Sequence, residues 1–230
     1  MLTFLSYNLH SGKDSRGAMN LDAMIETIRE AQPDLAAVQE VARHVSSAGN
    51  IDEAALLRDG LGMHMLFVPA IPYNGGDYGI GLLSRHPILS ARAYHIPDIP
   101  ESERDRWFEH RIILCCDIGW NGQTITVLTT HLGLSEGERR NGVSLLCRLI
   151  DEAKHPVIVA GDLNTRPDES LLQPLLTRVQ MHSSACTYPE KTPECKIDYI
   201  LVSPEWHVEN EHPLPSLASD HLPLVKSIRL

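Results

Sequence analysis

Several side chains that can bind a metal ion or move protons lie beside apolar, strand-like runs. Asp162 and Asn164 follow one such run, Asp198 lies at the start of a second, and the pair Asp220 and His221 precedes a third. A carboxylate can hold a divalent ion or orient an imidazole, and a histidine can stabilise charge or transfer protons near neutral pH. Together these groups suit metal-assisted attack of water on a phosphate ester.

Three further candidates occupy similar places earlier in the chain: Asn8, Glu40 and His131. Asp and Asn residues that follow strands are most often turn or cap residues, so each residue taken alone is a weak signal. The complete set is harder to explain as turn chemistry. It predicts that these side chains share one rim of a sheet, where loops converge on a site.

The composition is typical of a globular protein with a substantial core. The chain has 230 residues, of which 43% are hydrophobic, and no Ser/Gly-rich linker or repeat divides it. We therefore expect a single domain over residues 1–230. The formal net charge of -10 argues against a broad basic surface for tight, non-specific binding of duplex nucleic acid, although a local basic patch is compatible with it.

The cysteine pattern and the start of the chain exclude several classes of protein. Five cysteines occur without a Cys-x-x-Cys spacing, so neither a disulfide framework nor a zinc knuckle is indicated. Residues 1–8 lack a basic segment and predict a strand rather than a signal peptide. No apolar run approaches the roughly 20 residues of a membrane span. We expect a cytoplasmic protein, and the sequence indicates no protein partner.

Apolar periodicity predicts the elements that carry the candidates. A helix is predicted after Asn20, which we expect to be its N-cap, because Leu21, Met24, Ile25 and Ile28 recur at helical spacing. The other predicted helices are 52–61, stopped by Gly60 and Gly62, a segment after Ser135, and 168–176. The predicted strands are 2–8, 35–38 leading into Glu40, 63–68, 79–84, 112–118, 124–130, 157–160, 197–202 and 222–228, with a loop at 72–76.

Two local patterns connect these elements. Asn121-Gly122 predicts a tight hairpin turn between two β-rich runs, and Ser135 with Glu138 predicts a capping box at the start of a helix. A hairpin among alternating strands and helices favours a mixed or antiparallel α/β sandwich over a doubly wound parallel sheet.

The motifs occur in the order found in a known family. They are Tyr7-Asn8-Leu9, Gln39-Glu40, Thr130-His131-Leu132-Gly133, Gly161-Asp162-Leu163-Asn164, Ile197-Asp198-Tyr199-Ile200 and Ser219-Asp220-His221-Leu222-Pro223-Leu224. The chain resembles the endonuclease/exonuclease/phosphatase superfamily, which includes deoxyribonuclease I, apurinic endonucleases, neutral sphingomyelinases and inositol polyphosphate 5-phosphatases. The resemblance implies a four-layer α/β sandwich with two mixed, mostly antiparallel sheets, and divalent-metal phosphoesterase activity.

The resemblance also implies a metal site. Glu40 would be the principal ligand, with Asn8 close by and Asp220 sharing the ion. Carboxylate oxygens suit a hard ion such as Mg²⁺, and Mn²⁺ is an alternative.

The remaining motif residues would act on the phosphate. By resemblance, Asp198 orients His221, while Asp162 and Asn164 lie against the scissile phosphate and the attacking water. His131 would contact phosphate oxygens. Whether Asp162 or His221 takes the proton from water stays open at this point.

His10, Arg111 and the charged stretch 98–108 lie outside these motifs. Apurinic endonucleases carry a second acid two positions after the first Asn, where this chain has His10, so a two-metal arrangement and a repair role are not supported. Arg111 is expected either to bind phosphate or to form a surface salt bridge. The charged stretch 98–108 is expected to be a solvated connector rather than a substrate-facing loop.

The sequence leads to a phosphodiesterase hypothesis with two alternatives. The substrate would be a nucleic acid or a small or lipid phosphodiester, including a phospholipid head group. A phosphomonoesterase of the same superfamily is one alternative. A catalytically inactive binding module is the other, and it is disfavoured because Glu40, Asp162 and His221 are all retained.

Overall fold

The computed structural model of the chain describes residues 1–104 and 108–230. The α-helices are α1 (Leu21–Ala31), α2 (Glu53–Leu61), α3 (Glu136–Glu152) and α4 (Gln173–Leu176). The strands are β1 (Leu2–Asn8), β2 (Leu35–Arg43), β3 (His64–Tyr73), β4 (Gly76–Ser84), β5 (Ile88–His95), β6 (Ile112–Trp120), β7 (Gln123–His131), β8 (Val157–Asp162), β9 (Asp198–Val202), β10 (His207–Pro213) and β11 (Leu224–Arg229). The charged stretch 98–108 lies partly outside the described residues. Within those residues, no helix is long and apolar enough to cross a membrane.

The strands form two mixed sheets. The first has the order β10-β11-β1-β2-β4-β3, and the second has the order β5-β6-β7-β8-β9. Each sheet contains one parallel pair, β1 with β2 and β7 with β8, and its other neighbours are antiparallel. The expectation of mixed, mostly antiparallel sheets is confirmed.

The two sheets pack face to face and carry helices on their outer faces. Phe4 and Leu82 of the first sheet share a buried core with Leu114 and Ile158 of the second. A second core joins α1 and α2 to the outer face of the first sheet, and a third joins α3 and α4 to the outer face of the second. The result is the expected four-layer α/β sandwich.

The local patterns are confirmed with some changes in boundary. Asn121 and Gly122 both have positive φ, as a tight hairpin between β6 and β7 requires, and Ser135 with Glu138 forms a complete capping box. Asn20 precedes α1, but its side chain donates to the Ala218 carbonyl instead of capping the helix. Gly60 lies inside α2, so the prediction that it stops the helix is wrong, and Gly62 alone provides the left-handed cap.

Two predicted strand limits are too short. β2 does not end at Glu40 but continues to Arg43, because a bulge between Val38 and Val41 shifts the register and lets pairing with β4 resume. β3 and β4 likewise extend through most of the predicted loop at 72–76, and only Asn74 and Gly75 remain as the turn.

Two strands, β5 and β10, have no counterpart among the predicted elements. Both are edge strands, one in each sheet, and most of their side chains are exposed or half-buried. Ile88 of β5 and Val208 of β10 pack against the core only partly buried, so the strong apolar alternation that marks the central strands is absent from these edge strands.

Candidate functional site

The site lies where the parallel strand pairs of the two sheets end. In the first sheet, Asn8 at the end of β1 pairs with Gln39 of β2, next to Glu40. In the second sheet, His131 at the end of β7 pairs with Asp162 at the end of β8, and Asp162 pairs with Asp198 of β9. The register therefore delivers a row of polar side chains to a shared rim, as the sequence predicts.

Asn8 joins the two halves of this rim. Its side-chain nitrogen donates to Glu40 Oε1 over 2.9 Å and to Asp162 Oδ2 over 3.1 Å. Its side-chain oxygen accepts the His10 backbone N–H at 3.0 Å. Asn8 is buried, so these contacts satisfy an amide that would be costly to leave unpaired.

Asp162 is the centre of the cluster. Besides Asn8, its Oδ2 atom faces two imidazoles, with His131 Nε2 at 3.6 Å and His221 Nε2 at 3.8 Å. Its Oδ1 atom accepts the Asn164 backbone N–H at 2.9 Å. Burial and then the Asp198 carboxylate raise the pKa of Asp162 above its ordinary value.

His221 is held by a carboxylate, as the resemblance implies. Its Nδ1 atom lies 2.9 Å from Asp198 Oδ2, and that oxygen also accepts the Thr187 hydroxyl. Burial opposes the charged imidazole, but Asp198 and the other nearby carboxylates outweigh it and raise the pKa of His221. The Tyr188 ring lies 4.7 Å from the imidazole, centre to centre.

Arg111 reaches the site through a histidine. Its Nη1 atom lies 3.1 Å from His131 Nδ1, and its Nη2 atom pairs with Glu109 Oε2 at 2.9 Å. A guanidinium only donates, so Nδ1 of His131 accepts and the neutral ring carries its proton on Nε2, towards Asp162. Burial and the Arg111 charge lower the pKa of His131 well below its ordinary value, which favours this neutral form. The neighbouring His110 pairs instead with Asp98, at 2.9 Å.

Asn164 is fixed by its neighbours in a left-handed conformation, with φ of 47°. Its side-chain amide donates to the Leu132 carbonyl at 2.8 Å, and its own carbonyl accepts from Arg139 Nη1 at 2.6 Å. Three residues earlier in the motif, Gly161 has φ of 143° and approaches the Thr130 carbonyl so closely that a Cβ would lie 1.9 Å from that oxygen. Only glycine fits there, so the glycine of the motif is required by the backbone.

Glu40 projects from the bulge in β2. It has φ of 58°, an uncommon conformation for a residue with a side chain. Just beyond the bulge, the Ala42 N–H donates to Glu53 Oε2 at 2.8 Å, and Glu53 is fully buried. Tyr78 lines the same cleft as Glu40, and burial and then the Glu40 charge raise the pKa of Tyr78 well above its ordinary value.

Asp220 is held near the end of β1 by its neighbour in the chain. The adjoining Ser219 donates its hydroxyl to the Asn8 carbonyl at 2.8 Å, which ties the Ser-Asp-His segment to the end of β1. His10 Nδ1 is 3.8 Å from Asp220 Oδ1. A histidine thus faces Asp220 from the position where apurinic endonucleases have an acid.

The donor set fits a hard divalent ion. Glu40 and Asp220 offer carboxylate oxygens, which Mg²⁺ and Mn²⁺ prefer. The Asn8 amide oxygen accepts one N–H, from His10, and keeps a second lone pair for an ion. A second group, formed by Asp162, Asp198 and His221, has ligand atoms within 4.8 Å of one another and could also hold an ion. In that group His221 Nδ1 is already paired with Asp198, which leaves Nε2 as the nitrogen that could bind an ion.

All the predicted site residues are thus brought together, and Arg111 joins them through His131. Sequence reasoning missed Thr187, Glu53 and Tyr78. The motif signal could not identify them, because a lone Thr, Glu or Tyr has no spacing to mark it and their roles depend on contacts distant in sequence. Tyr188 follows Thr187 directly and was missed for the same reason.

Comparisons with known proteins agree with the four-layer fold. The chain is 26% identical over 249 residues to the Escherichia coli (strain K12) protein YbhP, covering 98% of this chain and 95% of that protein. Its structure is similar to a mannosyl-6-phosphatase of Bacteroides thetaiotaomicron, with a TM-score of 0.84, 16% identity and full coverage of both chains. It is also similar to an endonuclease/exonuclease/phosphatase of Bacteroides vulgatus, with a TM-score of 0.81, 20% identity and coverage of 100% of this chain and 98% of that one.

The family model covers nearly the whole chain. It matches residues 5–221, a span that begins within β1 and ends at His221, so it includes every predicted site residue. The chain therefore belongs to the Endonuclease/Exonuclease/phosphatase family.

Proposed function

We propose that the protein is a divalent-metal-dependent phosphodiesterase. The observation that carries this proposal is the convergence of two histidines on one buried carboxylate, with His131 Nε2 and His221 Nε2 both within 4 Å of Asp162 Oδ2. Members of the family are hydrolases that act on phosphoester bonds. Two imidazoles can contact two non-bridging oxygens of a phosphate at once, which suits a diester that keeps its charge on those oxygens.

Each residue has a role that follows from its contacts. His221, held at Nδ1 by Asp198, presents a protonated Nε2 to the phosphate, and neutral His131 presents the Nε2–H that its contact with Arg111 leaves free. Asp162 accepts the proton of the attacking water, because it is the carboxylate at the centre of the cluster. Asn164, anchored at Leu132, helps to hold the water and the phosphate.

Glu40, Asn8 and Asp220 would hold Mg²⁺ or Mn²⁺. When bound, such an ion offsets charge on the phosphoryl oxygens and lowers the pKa of water. Arg111 would contribute positive charge to the phosphate site from behind His131.

A phosphomonoesterase is the second candidate, favoured by the similarity to the mannosyl-6-phosphatase. A nucleic acid and a phospholipid head group both contain the phosphodiester bond that such an enzyme would cleave. The net charge of -10 favours weak nucleic-acid binding with a shallow salt dependence. An inactive binding module is disfavoured by the intact set of site residues. The single-domain organisation and the cytoplasmic location stay predictions.

A turnover screen tests the proposal. Purified protein is assayed with bis-nitrophenyl phosphate, nitrophenyl phosphate, plasmid DNA, short RNA and phospholipid, each with Mg²⁺, with Mn²⁺ and with chelator. We expect diester cleavage that chelator abolishes and either ion restores. Preference for the monoester would support the second candidate instead. Full activity in metal-free protein, or no turnover of any ester, would overturn the proposal.

A further inference from the structure

A cleft of about 370 Å³ opens beside Glu40. Its volume lies at the lower end of the range typical of small-molecule sites, about 300–1,000 Å³. Glu40 lines the cleft and also bonds Asn8, so the cleft is continuous with the proposed reaction centre. A group that extends from a phosphate bound there would enter this cleft.

Hydroxyl groups dominate the wall of the cleft. Ser11, Ser47, Tyr73 and Tyr78 all line it, and a hydroxyl can both donate and accept a hydrogen bond. The Ser47 hydroxyl accepts from the Asn74 side chain at 3.2 Å and keeps its own proton to donate. The two tyrosine rings are neighbours, with centres 5.9 Å apart and planes tilted by 51°. Tyr73 is 43% exposed, so one aromatic ring stands open to a ligand.

The charged groups of the wall are of both signs. Lys13 faces the cleft together with Glu109, and Glu109 is already paired with Arg111. Every residue that lines the cleft carries a polar group, so the apolar surface of the wall is confined to the tyrosine rings and no aliphatic side chain is there to pack against an acyl chain. With one lysine against two carboxylates, it also lacks the row of cations that a nucleic-acid backbone needs.

The segment that carries Ser11 is held in a strained conformation. His10, Ser11 and Gly12 have φ values of 45°, 53° and 69°, and only the last is a glycine. Consecutive left-handed residues with side chains are costly and persist where the surrounding structure holds them. Here the Lys13 N–H bonds the His10 carbonyl and the Asn20 N–H bonds the Gly12 carbonyl, which fixes the wall in place.

We propose that this cleft binds the non-reacting part of the substrate, and that this part is a polyhydroxylated ring such as a hexose or an inositol. Such a ring presents hydroxyls around its rim, which match the mixed donors and acceptors of the wall. Its C–H face can pack on an exposed tyrosine ring. This inference rests on the proposed phosphodiesterase function, because it places the ring beside a phosphate bound next to the ion that Glu40 would hold.

The test compares diesters with and without a ring. Glycerophosphoinositol carries the ring, glycerophosphoethanolamine lacks it, and methyl nitrophenyl phosphate reports the chemistry alone. We expect kcat/KM for glycerophosphoinositol to exceed that for glycerophosphoethanolamine by about tenfold or more. Uridine-containing dinucleotides are included as competitors of a different shape.

Variants of the wall locate the effect. Tyr73→Ala should remove most of the preference for the ring, mainly through KM, while Tyr73→Phe, which keeps the ring and loses the hydroxyl, should keep about half of it or more. Ser47→Ala removes one hydroxyl from the wall of the cleft. Ser90→Ala, which removes a hydroxyl from the edge strand β5, is its control. Melting temperatures verify that each variant is folded, which we expect because Tyr73 and Ser47 are exposed.

The outcomes separate this inference from the proposed function. If methyl nitrophenyl phosphate is cleaved but the inositol diester shows no preference, or if Tyr73→Ala leaves that preference intact, the inference is wrong and the phosphodiesterase proposal stands. A preference for dinucleotides that Tyr73→Ala removes would assign the cleft to a nucleoside and also overturn the inference. If no diester is cleaved, the proposed function itself fails.

Discussion

Arg111 and His131 form a buried pair in which Arg111 Nη1 lies 3.1 Å from His131 Nδ1. The contact has a direct chemical consequence. Because a guanidinium cannot accept a hydrogen bond, it fixes the tautomer of the imidazole and directs the Nε2–H towards Asp162. Arg111 is thus a positioning residue for His131.

Loss of Arg111 should change the pH dependence of turnover. Burial is the larger cause that lowers the pKa of His131 and the Arg111 charge is the next, so Arg111→Met, which removes only the second, should raise this pKa part of the way towards its ordinary value. His131 would then become protonated as the pH falls. In addition, the neutral ring could carry its proton on Nδ1 instead of Nε2, because Arg111 would no longer donate to Nδ1. We expect turnover to fall by about tenfold or more, with the acidic limb of the pH–rate profile moved to higher pH.

The control for this variant is Arg92→Met, since Arg92 stacks on Tyr94 at the edge of the second sheet. Arg111→Lys should restore part of the activity, because an ammonium can also donate to Nδ1. An unchanged pH profile in Arg111→Met would show that Arg111 does not act through His131.

The Asp198–His221 pair should be needed for turnover. His221→Ala, Asp198→Ala and Asp162→Asn should each lower kcat by about a hundredfold or more, the scale for losing a positioned acid or base. These side chains are buried and bonded to one another, so the melting temperature of each variant is measured to verify that it is folded at the assay temperature. Activity within a few-fold of the parent in a folded variant would contradict these roles.

Thr187 should have a smaller effect of the same kind. Its hydroxyl donates to the Asp198 oxygen that also pairs with His221, so Thr187→Val removes one of the two bonds that hold the carboxylate. We expect kcat to fall by about tenfold with little change in KM. Thr177→Val, an exposed position after α4, is the matched control and should behave like the parent.

The metal prediction distinguishes two possible ion sites. If Glu40, Asn8 and Asp220 hold the ion, Glu40→Gln should weaken Mg²⁺ binding in calorimetry, while Asp162→Asn should bind Mg²⁺ nearly as well as the parent. Glu136→Gln on the exposed face of α3 is the control. Loss of binding in Asp162→Asn with binding kept in Glu40→Gln would assign the ion to the Asp162–Asp198–His221 group instead.

Glu53 should make stability depend on pH. Burial is the main cause that raises its folded-state pKa to about 8, from an ordinary value of 4.5. The folded state therefore keeps a proton that the unfolded state releases, and the free energy of unfolding should fall as pH rises from about 4.5 to 8 and then level off. Glu53→Gln removes this titration and keeps an oxygen to accept the Ala42 N–H.

The measurement is denaturant unfolding of the parent and of Glu53→Gln at about pH 5.5 and pH 8.5, with chelator present throughout. The stability of the variant relative to the parent should increase with pH. Glu152→Gln, near the end of α3, provides the control and should show no such trend. If the difference in the free energy of unfolding between parent and variant is the same at both pH values, Glu53 does not keep a proton in the folded state and the prediction is wrong.

Much of the fold follows from local sequence patterns. The helical stripe of α1, the Asn121-Gly122 turn and the Ser135–Glu138 capping box are each encoded by neighbours in the chain, so they were predictable one by one. The edge strands β5 and β10 were not, because their place depends on pairing with a partner strand rather than on an apolar pattern of their own. The bulge that extends β2 past Glu40 is also a product of pairing, here with β4.

The sequence by itself determined which residues could do chemistry, because the motifs with Asn8, Glu40, Asp162, Asp198 and His221 are marked by residue type and by the strand that precedes or follows each one. It could not determine how they meet. The parallel pairs β1–β2 and β7–β8 bring their ends to one rim, and Asn8 then bridges the two sheets to Asp162, across 154 positions of the chain. The tautomer of His131, the support of Asp198 by Thr187 and the hydroxyl-lined cleft beside Glu40 likewise depend on contacts between distant segments, and such contacts exist only once the two sheets have packed against each other.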